Sequence, residues 1–185
     1  MSALSNYLEN AWVNHVLRNT AYSSPGTSIY VSLHSADPTD AGSGAELSGN
    51  SYARVQVTSW DAPSSRATQN TGTITFPTAS GNWTAATHFG VWDASTTGNL
   101  LFYGALNSTI TVLSGGVATF AAGDLDISLT GAFSTYLGNA LLSHTLRNSA
   151  YTTPGTSLYL ALHTADPTVA GTGTEVSGTR GNYSA

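Results

Sequence analysis

The second part of the chain opens by writing out the first again. Tyr7-Leu8 recurs as Tyr136-Leu137, His15-Val16-Leu17-Arg18-Asn19 as His144-Thr145-Leu146-Arg147-Asn148, and Pro25-Gly26-Thr27-Ser28 as Pro154-Gly155-Thr156-Ser157. The offset is constant, since 136 − 7 and 163 − 34 both give 129. It shifts only after Gly49 and Gly178, where Thr179-Arg180 reads as an insertion before Asn182-Tyr183-Ser184 rejoins Ser51-Tyr52-Ala53. The stretch from Ala53 to about Gly131 has no counterpart after Tyr183. A repeat of this kind means one set of structural elements used twice. The chain therefore reads as a complete unit, residues 1–131, followed by a partial second copy, residues 132–185.

Size agrees with that division. A chain of 185 residues, 41% of them hydrophobic, can bury one good core and carry something smaller beside it. Charge excludes one class of partner. All five basic residues are arginines (Arg18, Arg54, Arg66, Arg147, Arg180), they are scattered, and the net charge is −5, so the basic stripe that neutralises phosphates is missing and no nucleic-acid partner is expected. With no cysteine there is no disulfide framework and no thiolate chemistry. No stretch reaches the roughly 18 apolar residues of a membrane span, and no membrane partner or export signal is expected.

Periodicity gives the elements. From Ala3 to about Asn19, apolar residues at Leu4, Leu8, Ala11, Trp12, Val16 and Leu17, with Tyr7 on the same side, are spaced by three and four, which predicts an amphipathic helix capped by Ser2 or Ser5. The second copy keeps the stripe in Tyr136, Leu137, Ala140, Leu141 and Leu146. After a Pro-Gly turn the period changes to two: Ile29, Val31 and Leu33 alternate with Tyr30, Ser32 and His34, and Leu158, Leu160 and Leu162 alternate with Tyr159, Ala161 and His163. Each is a half-buried strand closed by an Ala-Asp-Pro-Thr turn. Further strands are expected at 53–58, 73–76, 88–92, 100–106, 109–113, 117–121 and 125–129, in the last of which Leu125, Ile127 and Leu129 face inward. The fold class is mainly β, an antiparallel β-sandwich or small barrel of about eight strands with one packed N-terminal helix, followed by the partial repeat.

Residues 132–185 supply one helix and one strand, too little for a core of their own. At ~1.5–3 kcal/mol per buried side chain, leaving Leu137, Leu141, Leu142, Leu146, Leu158, Leu160 and Leu162 in water forgoes on the order of 10–20 kcal/mol. That exceeds the ~5–15 kcal/mol net stability of a domain. The segment is expected to dock, as an arm, on the body of another copy, giving a homo-oligomer, a dimer or trimer. The alternative is a longer chain in which a second complete unit follows.

Chemistry is sparsely advertised. Ser, His and Asp occur without a nucleophile elbow, a P-loop, a dinucleotide fingerprint or a zincin motif, and the chain is not expected to be an enzyme or to carry a cofactor. His34, Asp37, Asp40 and Glu46 on a Gly-rich loop are the candidate ligands for a hard cation, although Val169 replaces Asp40 in the second copy and Asp37 and Asp166 equally suit a turn-capping role. Trp60 and Trp83, near turns, are the candidate stacking residues for a sugar, whereas Trp92 in Phe-Gly-Val-Trp reads as core. His15 and His144 read as packing residues.

The phrases Asn-His-Val-Leu-Arg-Asn-Thr-Ala-Tyr (14–22), Ser-Pro-Gly-Thr-Ser-Ile-Tyr-Val-Ser-Leu-His-Ser-Ala-Asp-Pro-Thr (24–39), Gly-Asn-Ser-Tyr-Ala-Arg (49–54), Thr-His-Phe-Gly-Val-Trp-Asp-Ala (87–94) and Gly-Asn-Leu-Leu-Phe-Tyr-Gly-Ala-Leu (98–106) resemble small virion proteins of tailed bacteriophages, often labelled tail-fibre-like. The resemblance covers residues 1–131 and, in its opening phrase, the second copy. It implies a non-enzymatic structural protein on the exterior of a particle assembled in the host cytoplasm, with the major capsid protein or tail proteins as partners. Modules of this kind serve on capsids and on tails. Lacking a collagen-like or coiled-coil shaft, the chain reads first as a capsid cement or decoration protein. The second reading is a tail fibre or receptor-binding module that holds a host glycan.

Overall fold

The structure, a computed structural model, describes residues 2–131 and 133–176. Among these residues, nine strands and two helices run in the order β1 (Ser2–Leu4), α1 (Asn6–Leu17), β2 (Tyr30–His34), β3 (Val55–Gln56), β4 (Ala67–Gln69), β5 (Ile74–Thr75), β6 (Ala86–Trp92), β7 (Leu100–Ile110), β8 (Thr119–Phe120), β9 (Asp126–Ser128) and α2 (Thr135–Arg147). The main sheet has five strands in the order β1-β7-β6-β2-β3, and two short sheets, β4-β9 and β5-β8, complete the body. Every pairing is antiparallel. The architecture is sheet-based and does not close into a barrel. No helix among the described residues is long and apolar enough to cross a membrane.

The N-terminus departs from expectation in an informative way. Ser2–Leu4 is an edge strand on β7, with Leu4 opposite Phe102, and the helix begins only at Asn6. Ser5 is the hinge between the two: its hydroxyl accepts the Leu8 amide at 3.2 Å, closing the first turn, while its own amide donates to Leu101 O. The buried stripe of α1 is Leu8, Trp12 and His15, an i, i+4, i+7 row; Tyr7 and Leu17 lie outside it and are exposed. The expected strands 100–106 and 109–113 are one long strand, β7, whose ladder with β6 slips between Ala86 and His88. β4, in a polar stretch, is, like β1, a strand that periodicity does not find.

β2 lies inside the main sheet. It pairs with β6 on one edge, Val31 opposite Val91 and Leu33 opposite Phe89, and with β3 on the other, Val31 opposite Val55. Val31 and Leu33 are fully buried in a single core with Leu8, Trp12, Ile29, Phe76, Phe102 and Ile127. Leu141, Leu142 and Leu146 of α2 belong to that same core.

Candidate functional site

The two sequence copies meet face to face in the helix pair. Ser134 caps α2 as Ser5 caps α1, its hydroxyl accepting the Leu137 amide at 3.2 Å. Thr135 N donates to Val169 O at 2.7 Å, as Asn6 N donates to Asp40 O at 3.0 Å, so the contact runs through the backbone and survives the change from Asp to Val. Between the helices His15 and His144 stack, ring centroids 5.3 Å apart. Their hydrogen bonds are reciprocal: Tyr22 N donates to His15 Nδ1 at 3.0 Å and Tyr151 N to His144 Nδ1 at 3.2 Å, while His144 Nε2 donates to Tyr22 O and His15 Nε2 to Tyr151 O, both at 2.8 Å. Each residue is bonded to the sequence equivalent of its own partner, which is the signature of a local two-fold axis within one chain. The pair is asymmetric at Trp12, whose Nε1 donates to Thr145 Oγ1 at 3.1 Å, because Val16 stands at the matching position of α1. On its other side α2 meets the body through Asn139 Oδ1, which accepts the Arg66 amide at 2.8 Å.

This corrects the expectation that all seven leucines of the second copy wait for a neighbour. Leu141, Leu142 and Leu146 are buried, and Leu137 is half-buried, against the chain's own core. The helix of the second copy packs on the same chain instead, beside Trp12 and His15 of α1 and against the body at Arg66.

The strand expected at Leu158–His163 does not form: no ladder is assigned there among the described residues, only the isolated bridge His163–Glu175, because no neighbouring strand lies beside the segment to pair with it. Leu158, Leu160 and Leu162 are 47%, 84% and 48% exposed, whereas their counterparts Ile29, Val31 and Leu33 are at most 1% exposed, and Tyr159 is 84% exposed where Tyr30 is half-buried. The turn and loop that follow the segment are nonetheless shaped like their counterparts. Val176 N donates to Leu162 O at 2.9 Å as Leu47 N does to Leu33 O, and Thr164 N donates to Thr174 O at 3.0 Å as Ser35 N does to Ala45 O at 2.9 Å. Thr168 N donates to Asp166 Oδ1 and Thr39 N to Asp37 Oδ1, both at 2.8 Å, and the bridge His163–Glu175 repeats His34–Glu46. The copy has its local form without the sheet that covers it in the first unit.

The outer face of the main sheet is held by a relay. Trp92 Nε1 donates to Ser32 Oγ at 2.8 Å, Ser32 Oγ–H to His34 Nε2 at 2.7 Å, and His34 Nδ1–H to Gly44 O at 3.3 Å. Gly90 makes room for it, since a Cβ there would lie 2.8 Å from both Ser32 Oγ and Trp92 Nε1. Arg54 closes the relay from above. It donates to both oxygens of Glu46, from Nε at 2.9 Å and Nη2 at 2.7 Å, to Ala94 O and Thr97 O from Nη1, and its guanidinium lies 3.7 Å over the Trp92 ring. Burial holds the His34 pKa below its ordinary value.

That arrangement disposes of the cation loop. Glu46 is engaged by Arg54, His34 by Ser32 and Gly44, and Asp37 by the Thr39 amide, while Asp40 contributes its carbonyl to α1. Among the described residues no three His, Asp or Glu side chains are placed to hold a metal ion. The tryptophans are corrected likewise. Trp60 and Trp83 are only 5% and 6% exposed; Trp83 donates to Asn50 O at 2.9 Å and sits edge-on to Tyr52 and Phe76, so neither ring offers a face to a sugar. An open groove beside β7, rimmed by Asn107, Thr119, Asp124 and Asp126, has Phe89 and Phe120 buried beneath it and presents no ring for stacking. Arg54 and Thr145 were missed in the sequence; the scarcity of arginine and the Val-to-Thr difference between copies were the available signals.

No curated protein matches the chain. A protein-family model does, and it matches twice, over residues 3–128 and again over 132–184, the two ranges falling on the complete unit and its partial copy. The model describes Podophage GP4 fiber I protein gp80. Matched over almost its whole length, this chain belongs to that family of phage virion proteins.

Proposed function

We propose that the chain is a non-enzymatic structural subunit of a fibre on the outside of a phage particle, working through contacts with further units of its family and with the virion proteins that anchor it. The observation that carries this is the segment Leu158–Leu162, the sequence counterpart of β2, which is left unpaired and uncovered in a chain whose family is described as a fibre protein. An apolar segment with strand periodicity and no pairing partner of its own is suited to adding a strand to another sheet. Engagement of the candidate metal ligands and burial of both candidate stacking rings favour structural work over chemistry at those positions.

A second reading, a capsid cement or decoration protein, is favoured by shape. The longest helix has 13 residues and the longest strand 11, and no coiled-coil or collagen-like shaft occurs among the described residues. Quantitative mass spectrometry of purified virions, with antibody labelling in the electron microscope, separates the two. A few copies labelled on slender appendages is the expected result. Hundreds of copies spread over the head establish the cement reading, and absence from the particle removes both.

A further inference from the structure

We propose that residues 135–176 form the seat for a second β-body of this family, built like residues 53–128, which takes Leu158–Leu162 as an inner strand. The inference deepens the assembly reading above and rests on it for the family of the partner, not for the location of the protein on the virion.

The first unit shows what the second copy is made for. There, the equivalent segment is covered by β6 on one edge and β3 on the other, and the side chains of Val31 and Leu33 enter the core. The second copy carries leucine at both positions, keeps the flanking turn with its hydrogen bonds, and has neither the cover nor the strand pairing that the cover supplies. Gly42 shows the same loss at one residue: its hypothetical Cβ would lie 3.2 Å from Trp92 and from Leu100, while Gly171, with φ +67 against +68, meets nothing within 4 Å. No Asp, Glu, Lys, Arg or Pro interrupts residues 157–164 to guard an edge meant to stay in water. Charged or proline gatekeepers are the usual protection of such a strand.

The occupant is a body from a further family unit and not the first body of another copy of this chain. In every copy the place between β3 and β6 is already taken by β2, and exchanging one such strand for another gains no new contact. The register follows from the first unit: Leu160 stands opposite the residues equivalent to Val91 and Val55, and Leu162 opposite the equivalent of Phe89. The reciprocal helix pair fixes the orientation of α2, so the second body is related to the first by the same two-fold.

The test adds a second body to the chain of residues 1–184. Residues 54–131 are fused after Ser184, which aligns with Ala53, and amide exchange of residues 158–162 is compared between the fused and the unmodified chain. The proposal expects exchange there to slow by at least about tenfold, towards the behaviour of β2, and expects Leu160→Asp in the fused chain to abolish that slowing while residues 30–34 remain protected. Two outcomes overturn it. One is segment 158–162 exchanging as fast in the fused chain as in the unmodified one. The other is concentration-dependent protection in the unmodified chain that Leu160→Asp removes, which assigns the strand to a second copy of this chain. Neither outcome bears on virion labelling, so this inference and the fibre reading fail separately.

Discussion

His34 and Arg54 show how single residues hold the outer face of the sheet. His34 is fully buried and must stay neutral at Nε2 to accept from Ser32, so burial and bonding agree. Desolvation is the main cause that lowers its pKa; the Arg54 charge and His88 add to it, and Glu46 and the Gly44 carbonyl oppose it. The folded protein therefore takes up this proton less readily than the unfolded chain, where histidine titrates near about 6.5. Stability then falls as pH drops below about 6.5 and levels off once pH passes below the folded-state value. Urea unfolding between about pH 7.5 and 5 is expected to show a smaller acid loss in His34→Gln than in the parent; equal losses would remove His34 as a cause. Arg54→Lys keeps the charge but loses the two-pronged bond to Glu46 and the flat contact with Trp92, for an expected cost of about 1.5–3 kcal/mol in the same measurement. At this scale the sequence was partly legible. Asp37 could be read as a turn cap because its partner, the Thr39 amide, is two residues away. Arg54 could not be paired with Glu46, since only the fold of the intervening loop brings them together.

Among the elements, those with strong local periodicity and a partner within the chain were legible, those made by tertiary contact were not, and Leu158–His163 has the period of a strand without the neighbour that would make it one. The helices and the cores of β2, β6 and β9 follow from spacing alone. β1 was read as helix because Leu4 continues the apolar stripe, and the Ser5 cap with the ladder to β7 overrules it. The docking of α2 on α1 was invisible because each helix shows one apolar face without saying what covers it. Its specificity lies in Thr145. Thr145→Val keeps the shape and strips the acceptor from Trp12 Nε1, leaving a buried N–H unpaired, for an expected loss of about 1–3 kcal/mol in chemical denaturation. A loss no larger than that of a surface substitution would mean the bond contributes nothing. The paired turns offer an internal control. Gly42→Ala and Gly171→Ala share the same backbone strain, since both have positive φ, but only Gly42 is pressed by Trp92 and Leu100. Thermal unfolding of the two variants is expected to show the larger destabilisation in Gly42→Ala, by about 1–3 kcal/mol of added overpacking.

At the scale of the molecule, the complete unit leans on its own partial copy. Burial of Leu141, Leu142 and Leu146 contributes about 1.5–3 kcal/mol each, or roughly 5–9 kcal/mol together, against a net stability of ~5–15 kcal/mol for a domain of ordinary size. A chain ending at Gly131 loses that burial and uncovers Trp12 and His15 of α1. The local two-fold gives it one way to recover. A second α1 presents His15 and Tyr22 where α2 presents His144 and Tyr151, so two shortened chains can rebuild the reciprocal ring between them. The recovery is incomplete, because Val16 replaces Thr145 and Trp12 Nε1 is left without its acceptor. The shortened chain is thus expected to unfold at lower denaturant than the full chain when dilute, and to regain part of the difference as its concentration rises, with a dimer in sedimentation. A midpoint equal to that of the full chain at every concentration would show that α2 rests on the body without supporting it.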